Sequence, residues 1–299
     1  MMMNTTLEQL RGLKLNGMAD GLHEQLTQAG MTGISFEERI ALLVDRGVHW
    51  RGDRKRQRLM KLAHLKYPQA AIEDIDSRAG RGLDRKAVMS LVLGDWIDSG
   101  HSVLITGPTG AGKSWLACAM AQYACRRGHS AYYQRVPRLG EELRIRHGNG
   151  TLGKWLMQLA KVDVLLLDDW GMAALDSQTR ADLLGIIDDR AANKATIITS
   201  QLPIEHWHAW VSDATIADAM LDRLMQRNHR FTLTGESLRQ KPKITNRRKT
   251  KPHRDRHFYN LSAQHLTLRN RSRSTGISGH DHRNTHWEKD QLRPEPLVP

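Results

Sequence analysis

An apolar run, Ser102-Val-Leu-Ile-Thr106, leads directly into Gly107-Pro108-Thr109-Gly110-Ala111-Gly112-Lys113-Ser114. Gly107 and Gly112 let the backbone take positive φ and bring its N–H groups close to phosphate oxygens. Lys113 adds a point charge suited to β and γ phosphates, and the Ser114 hydroxyl suits Mg2+. A helix starting near Lys113 aims its positive end at the same anion, with Trp115 beside the cradle. A nucleotide cradle between a strand and a helix therefore requires an α/β sheet, and the rest of the chain is expected to supply one.

From about residue 101 onward, apolar runs alternate with helical patterns, the signature of a parallel sheet with crossover helices. Strands are expected at 102–106, 130–134, 163–168 and 195–200, with a last one at 231–234. Helices are expected near 113–127, 138–146, 152–160, 177–192 and 214–227. The first hundred residues read as mostly helical. Leu7, Leu10, Leu13, Leu15, Met18 and Leu22 make one stripe between about 5 and 28. Ser35, three before Glu38, makes a capping box for a second helix running toward Tyr67-Pro68. Gly52 is a point at which that helix is liable to break.

The chain has 299 residues and 39% hydrophobic content, enough for an α/β domain with a smaller partner. No stretch approaches the roughly 18 apolar residues of a membrane span, and the start has neither a basic nor an apolar leader pattern, so a cytoplasmic location is expected. The two cysteines, Cys118 and Cys125, fall on one face of the helix after the glycine loop and read as buried thiols. Net charge is +13, but residues 240–299 carry 14 Lys and Arg against 5 Asp and Glu, so +9 of it lies there. Few large apolar residues occur beyond 239, and disorder is expected there. A basic chain suggests a polyanion such as DNA as partner. The candidate contacts are Arg54, Lys55 and Arg58 on the basic helix, and Arg135, Arg138, Arg144 and Arg146 along the helix after the second strand.

Val164-Leu-Leu-Leu-Asp168-Asp169 is an apolar run ending in two carboxylates, fifty-five residues after Lys113. A central strand of this kind delivers acids to the carboxyl edge of the sheet, where ligands of open α/β sheets bind. Asp168 is placed to hold Mg2+ together with Ser114, and Asp169 to orient or deprotonate an attacking water. The next strand ends in Ser200-Gln201, polar groups that would emerge beside Asp168.

Taken in this order, Gly107 to Ser114, Leu165 to Gly171, Thr199-Ser-Gln-Leu-Pro203, Leu221-Asp-Arg-Leu224 and Gly235 to Arg239 resemble the IstB family of transposition helper ATPases, relatives of the DnaC helicase loader within the AAA+ class. Leu10 to Met18 and the Phe36 to Tyr67 helix extend the resemblance to about residues 5–239. It implies a P-loop AAA+ parallel sheet flanked by helices. A helical domain at 1–75 would contact DNA or a partner, the ATPase domain would span 76–239, and 240–299 would be a basic tail with no family counterpart. It also implies ATP and Mg2+ as cofactors, a homo-oligomer formed with ATP on double-stranded DNA, a partner transposase, and no membrane. By position, Lys113 and Ser114 would be the Walker A pair, Asp168 and Asp169 the Walker B pair, and Ser200 and Gln201 the first sensor. Arg223 would be a finger acting on a neighbouring subunit and Arg239 the second sensor. Asp169 stands where many AAA+ proteins have Glu. Two other readings stand beside it: a helicase loader with the same ATP chemistry, and a DNA-binding scaffold that uses ATP only as an assembly ligand, with negligible turnover.

Overall fold

A computed structural model describes residues 2–28, 33–76 and 80–238, all within one compact unit, Met1–Ile244. Arg239 and the 240–299 tail lie outside the described residues.

The stripe expected between 5 and 28 forms two helices, α1 (Met2–Gly12) and α2 (Asn16–Thr27), because the chain turns at Lys14, whose φ is +59°. Helix α3 (Phe36–Leu62) begins at the expected capping box. The Ser35 hydroxyl accepts from the Glu38 amide at 3.2 Å, and the Ser35 amide donates to the Glu38 carboxylate at 3.0 Å. Gly52 does not break it: an interior glycine costs about 1 kcal/mol, which the surrounding Arg, Lys, Gln and Leu tolerate. Beyond α3, the Ala63 carbonyl accepts the Tyr133 amide at 2.9 Å, which pins the end of the helix to an edge strand. Leu65, Ala70, Ile72 and Ile75 then enter the core, and a short helix absent from the sequence reading follows, α4 (Arg85–Leu93).

Five strands follow: β1 (Ser102–Thr106), β2 (Ala131–Arg135), β3 (Val164–Trp170), β4 (Ala195–Ser200) and β5 (Asn228–Thr232). All pair in parallel, in the order β2-β3-β4-β1-β5. The connecting helices are α5 (Lys113–Arg126), α6 (Val136–Gly148), α7 (Leu152–Lys161), α8 (Ser177–Asp188), the unforeseen α9 (Trp207–Val211), and α10 (Ala214–Met225). The middle strands β1 and β4 are buried throughout, as a parallel sheet covered on both faces requires. Their side chains alternate between two cores. Val103, Ile105 and Ile197 pack with α4 and α5, while Leu104 and Ile198 pack with α6 to α10.

Three boundaries differ from expectation by three residues or more, the first being that of α3, which stops at Leu62, short of Tyr67, as the chain turns at His64, φ +50°. Strand β5 starts earlier because Asn228-His-Arg-Phe-Thr is a half-exposed edge strand without an apolar signature, and Leu233 has already turned over the P-loop. Helix α8 stops at Asp188 because Arg190 turns inward and becomes 1% exposed. Its guanidinium donates to the Val162 carbonyl at 2.8 Å and also to the carbonyls of Leu159 and Ala195. It thereby closes the end of α7 and the start of β4 with one side chain. Burial pulls this arginine down to about 10, against the opposing charge of Asp163.

Cys118 and Cys125 share one face of α5, both fully buried, and burial pushes both thiols up to about 11. Trp155, Trp170 and Trp207 are core residues, and Trp210 donates to the Ala173 carbonyl at 2.7 Å, so this group packs the interior of the α6 to α10 layer. Among the described residues no helix is long and apolar enough to cross a membrane. Replacing Arg190 by Leu strands several buried carbonyls, and urea unfolding should show a loss of about 3 kcal/mol; a loss under about 1 kcal/mol would contradict this role.

Candidate functional site

The carboxyl ends of β1, β3 and β4 meet at one edge of the sheet, and the strand-to-helix turn between β1 and α5 forms a cradle there. Gly107 has φ +141°, and a Cβ on it would come within 2.2 Å of the Leu233 carbonyl oxygen, so only glycine allows the β5 exit to cross this close. Gly112, at φ +95°, is the residue from which α5 starts. No side chain caps that end, which leaves the first amides of α5 directed at the cradle. Lys113 lies over the loop, its Nζ donating to the Gly107 and Pro108 carbonyls at 2.8 and 2.9 Å. A cavity of about 370 Å³ opens beside it, lined by Thr109, Gly110, Gly112, Lys113, Ser114 and Trp115 of the loop and α5, by Lys66 and Tyr67, by Arg135, Asp169 and Gln201 at the strand ends, and by Met172 and Leu238.

Asp168 lies behind Ser114 and Lys66 of this lining and is 0% exposed. Its Oδ1 accepts from the Ser114 hydroxyl at 2.6 Å and from the Thr199 hydroxyl, and its Oδ2 accepts from the Tyr133 hydroxyl at 2.7 Å. The Lys66 ammonium lies 3.4 Å from Oδ2. Burial is the largest influence on this carboxyl and pushes it upward. The hydrogen bonds from Ser114, Thr199 and Tyr133, with Lys66, outweigh burial and hold it below the ordinary aspartate value. A lowered carboxyl is ionised at neutral pH, and the stability it confers is lost only as pH falls through that lowered value. Burial, and next its own hydrogen bond to Asp168, push the Tyr133 phenol up and hold it in its neutral form.

Asp169 occupies a left-handed position, φ +63°, where the pairing of β3 with β4 slips between Leu167 and Trp170. That slip turns its side chain out of the alternation of the strand, toward the Arg135 Nε at 2.7 Å, while its amide donates to the Thr199 hydroxyl at 3.2 Å. The Ser114 hydroxyl beside an ionised buried carboxylate is the hard-oxygen donor set that Mg2+ prefers. Ser114 and Asp168 thus fit that ion, which would supply charge neutralisation for a bound triphosphate.

The remaining residues singled out in the sequence divide by location. Gln201 lines the cavity and bonds Thr109, but the Ser200 hydroxyl donates to the Trp170 carbonyl at 2.7 Å and accepts the Leu202 amide, turned away from the cavity. Arg223 is paired with Asp188 and lines a different small cavity, with Gly100 and Ser102, at the end of the sheet where β1 begins. A role for it at a P-loop therefore needs a second chain. Leu238 donates its amide to the Gly110 carbonyl at 3.1 Å, so the chain just before Arg239 runs against the cradle. Arg54, Lys55 and Arg58 are exposed on α3. The α6 arginines do not form one stripe. Arg135 is held by Asp169, and Arg146 bridges Glu142 and lies 4.5 Å over the Trp155 ring, while Arg138 and Arg144 are exposed, the latter also bonding the Gly140 carbonyl one turn back. Sequence reasoning missed Lys66 and Tyr133 at Asp168, and Arg81, which binds the Ala111 carbonyl; none carries a periodic or spacing signal.

The family model described as IstB-like ATP binding protein matches residues 8–246. The chain belongs to the IstB-like ATP-binding protein family. It is 55% identical over 203 residues to an ATP-binding protein of insertion sequence IS1162 from Pseudomonas fluorescens, covering 68% of this chain and 88% of that relative. It is 45% identical to the insertion-sequence ATP-binding protein y4pL of Sinorhizobium fredii, covering 80% and 97%. Among solved structures it is similar to the DnaC helicase loader at 20% identity, with a TM-score of 0.47 over 56% of this chain and 99% of that one. The parallel sheet flanked by helices and preceded by a helical region is the fold class expected for an IstB-like chain.

The left-handed backbone at Asp169 gives an ordering that unfolding experiments can check. Asp169→Asn, which tolerates that conformation, should cost under about 1 kcal/mol, since the Arg135 pair is partly solvated. Asp169→Val should cost about 1–3 kcal/mol more for a β-branched residue held at positive φ. Equal stabilities would contradict a strained position.

Proposed function

We propose that this IstB-like chain is a Mg2+-dependent ATPase that assembles with copies of itself on double-stranded DNA and serves a partner transposase of the same insertion sequence. The observation that carries the nucleotide part is the Ser114 to Asp168 contact at 2.6 Å, beside a glycine cradle whose lysine and helix terminus face the same cavity. The relatives named as insertion-sequence ATP-binding proteins support the transposition part. In this reading the α5 amides and Lys113 bind the phosphates, Ser114 and Asp168 hold Mg2+, and Asp169 orients or deprotonates the attacking water. Thr109 and Gln201 lie where the γ phosphate would be sensed, and Arg223 enters from a neighbouring chain with Arg239 completing the site. Exposed Arg54, Lys55, Arg58, Arg138 and Arg144 meet DNA phosphates, with little dependence on sequence and a steep dependence on salt. The division into a helical region at 1–75, an ATPase domain at 76–239 and a basic tail at 240–299 belongs to the same proposal, as does a cytoplasmic location.

One observation favours a second reading, in which ATP acts chiefly as an assembly ligand. Asp169 is engaged by Arg135 at 2.7 Å, so the group assigned to water is not free to act while that pair is closed. Hydrolysis would then stay slow until assembly opens it.

Binding of a fluorescent ATP analogue separates these ideas from a failed assignment. Lys113→Ala should weaken binding at least a hundredfold, about 2.7 kcal/mol, and abolish ATP-dependent assembly on duplex DNA. Normal assembly of this variant would overturn the proposal. Arg223→Ala and Asp169→Asn should each bind ATP and hydrolyse it poorly. Mixing the two should restore phosphate release, and its absence would count against a shared site.

A further inference from the structure

Lys66 belongs to neither the glycine loop nor the β3 carboxylates. It comes from the segment that follows α3, where Ala63 is fixed to β2 by the Tyr133 amide and Leu65 is buried in the core. That anchoring delivers the lysine to the wall of the nucleotide cavity, with its Nζ 3.4 Å from Asp168 Oδ2 and 5.6 Å from the Tyr67 ring. The loop lysine, Lys113, donates to the Gly107 and Pro108 carbonyls, and Lys66 pairs with the buried carboxylate from a different part of the chain.

A carboxylate offers about four acceptor positions. Those of Asp168 are met by Ser114 and Thr199 on Oδ1, and by Tyr133 and Lys66 on Oδ2. A divalent ion that uses this carboxylate must displace or repel one of these partners. The three hydroxyls are neutral, and all three make closer contacts than Lys66 does. Lys66 makes the longest contact, carries like charge to the ion, and has a side chain 32% exposed, with solvent to move into. We infer that Lys66 is a stand-in counter-ion for Asp168, which Mg2+ displaces when Mg2+·ATP binds. Loading of the site is thereby coupled to the segment after α3. The inference rests on the reading of this cavity as a Mg2+·ATP site and adds to it a competing cation supplied by the helical region.

The test compares full-length wild type with Lys66→Met, and with Lys66→Gln should the first fail to fold. It measures the affinity of a fluorescent ATP analogue in EDTA and in saturating Mg2+. Removing the competitor should raise the ratio of the two dissociation constants, EDTA over Mg2+, by about fivefold, the low end of couplings between linked ligands. Lys66→Arg, which keeps the cation, should stay within about twofold of wild type on the same scale. Thermal melting adds a second readout, because a merely structural lysine would leave the gap between variant and wild type independent of ligand. Without ligand the neutral variants should melt below wild type, and with Mg2+·ATP the gap should close. An unchanged or lowered ratio, or a gap of the same size in both conditions, overturns the inference while leaving the nucleotide site intact. Wild type that binds no nucleotide in either condition overturns the site and the inference together.

Discussion

The site depends on keeping one carboxylate, that of Asp168, ionised at 0% exposure. A bare buried anion would cost several kcal/mol and would take up a proton instead. Four donors prevent this, and each comes from a different part of the chain: Ser114 from α5, Tyr133 from β2, Thr199 from β4 and Lys66 from the segment after α3. The order β2-β3-β4-β1-β5 places the strand of Asp168 between those of Tyr133 and Thr199. The P-loop strand β1 lies on the far side of β4. The parallel direction of all five strands brings these ends to one edge. The topology of the sheet is, in this sense, the means by which a buried negative charge is tolerated.

The same constraint explains why the α3 region is packed onto the sheet as it is. Edge strand β2 would expose an unpaired backbone, and the Ala63 carbonyl meets its Tyr133 amide. That contact fixes the chain that delivers Lys66, so covering the edge and completing the site are one arrangement. On the opposite side of the cavity, Leu238 bonds Gly110 and Arg81 bonds Ala111, so the P-loop is held by elements from before β1 and after β5. The slip in β3 that turns Asp169 toward Arg135 then separates two adjacent carboxylates into different surroundings, one buried and saturated with donors, one facing an arginine at the cavity wall.

Much of this was legible in the sequence because it is written in contiguous residues. The strand, glycine loop and helix from Ser102 to Arg126, the apolar run ending in Asp168 and Asp169, and the capping box of α3 each combine local pattern with local geometry, and each is found where it was expected. What could not be read comes from residues joined only by the fold. Lys66 looked like one more cation in a basic stretch, and Tyr133 like an ordinary strand residue. Arg135 reads as one of a row of candidate phosphate contacts with Arg138, Arg144 and Arg146, because an ion pair to a residue thirty-four positions away leaves no trace in spacing. Helix α8 ends earlier than its pattern suggests because nothing in Asp188-Asp-Arg190 announces that the arginine is buried. Strand β5 was displaced because a polar edge strand lacks the apolar signal by which strands are found.

In the proposed function it is ionised Asp168, and not the glycine cradle alone, that makes this a Mg2+·ATP site. Calorimetric titration of ATP into wild type and Asp168→Asn, each with and without Mg2+, tests it most directly. The expected result is binding without metal in both proteins, with tightening by Mg2+ in the wild type only. Equal tightening by Mg2+ in the two proteins would contradict the account.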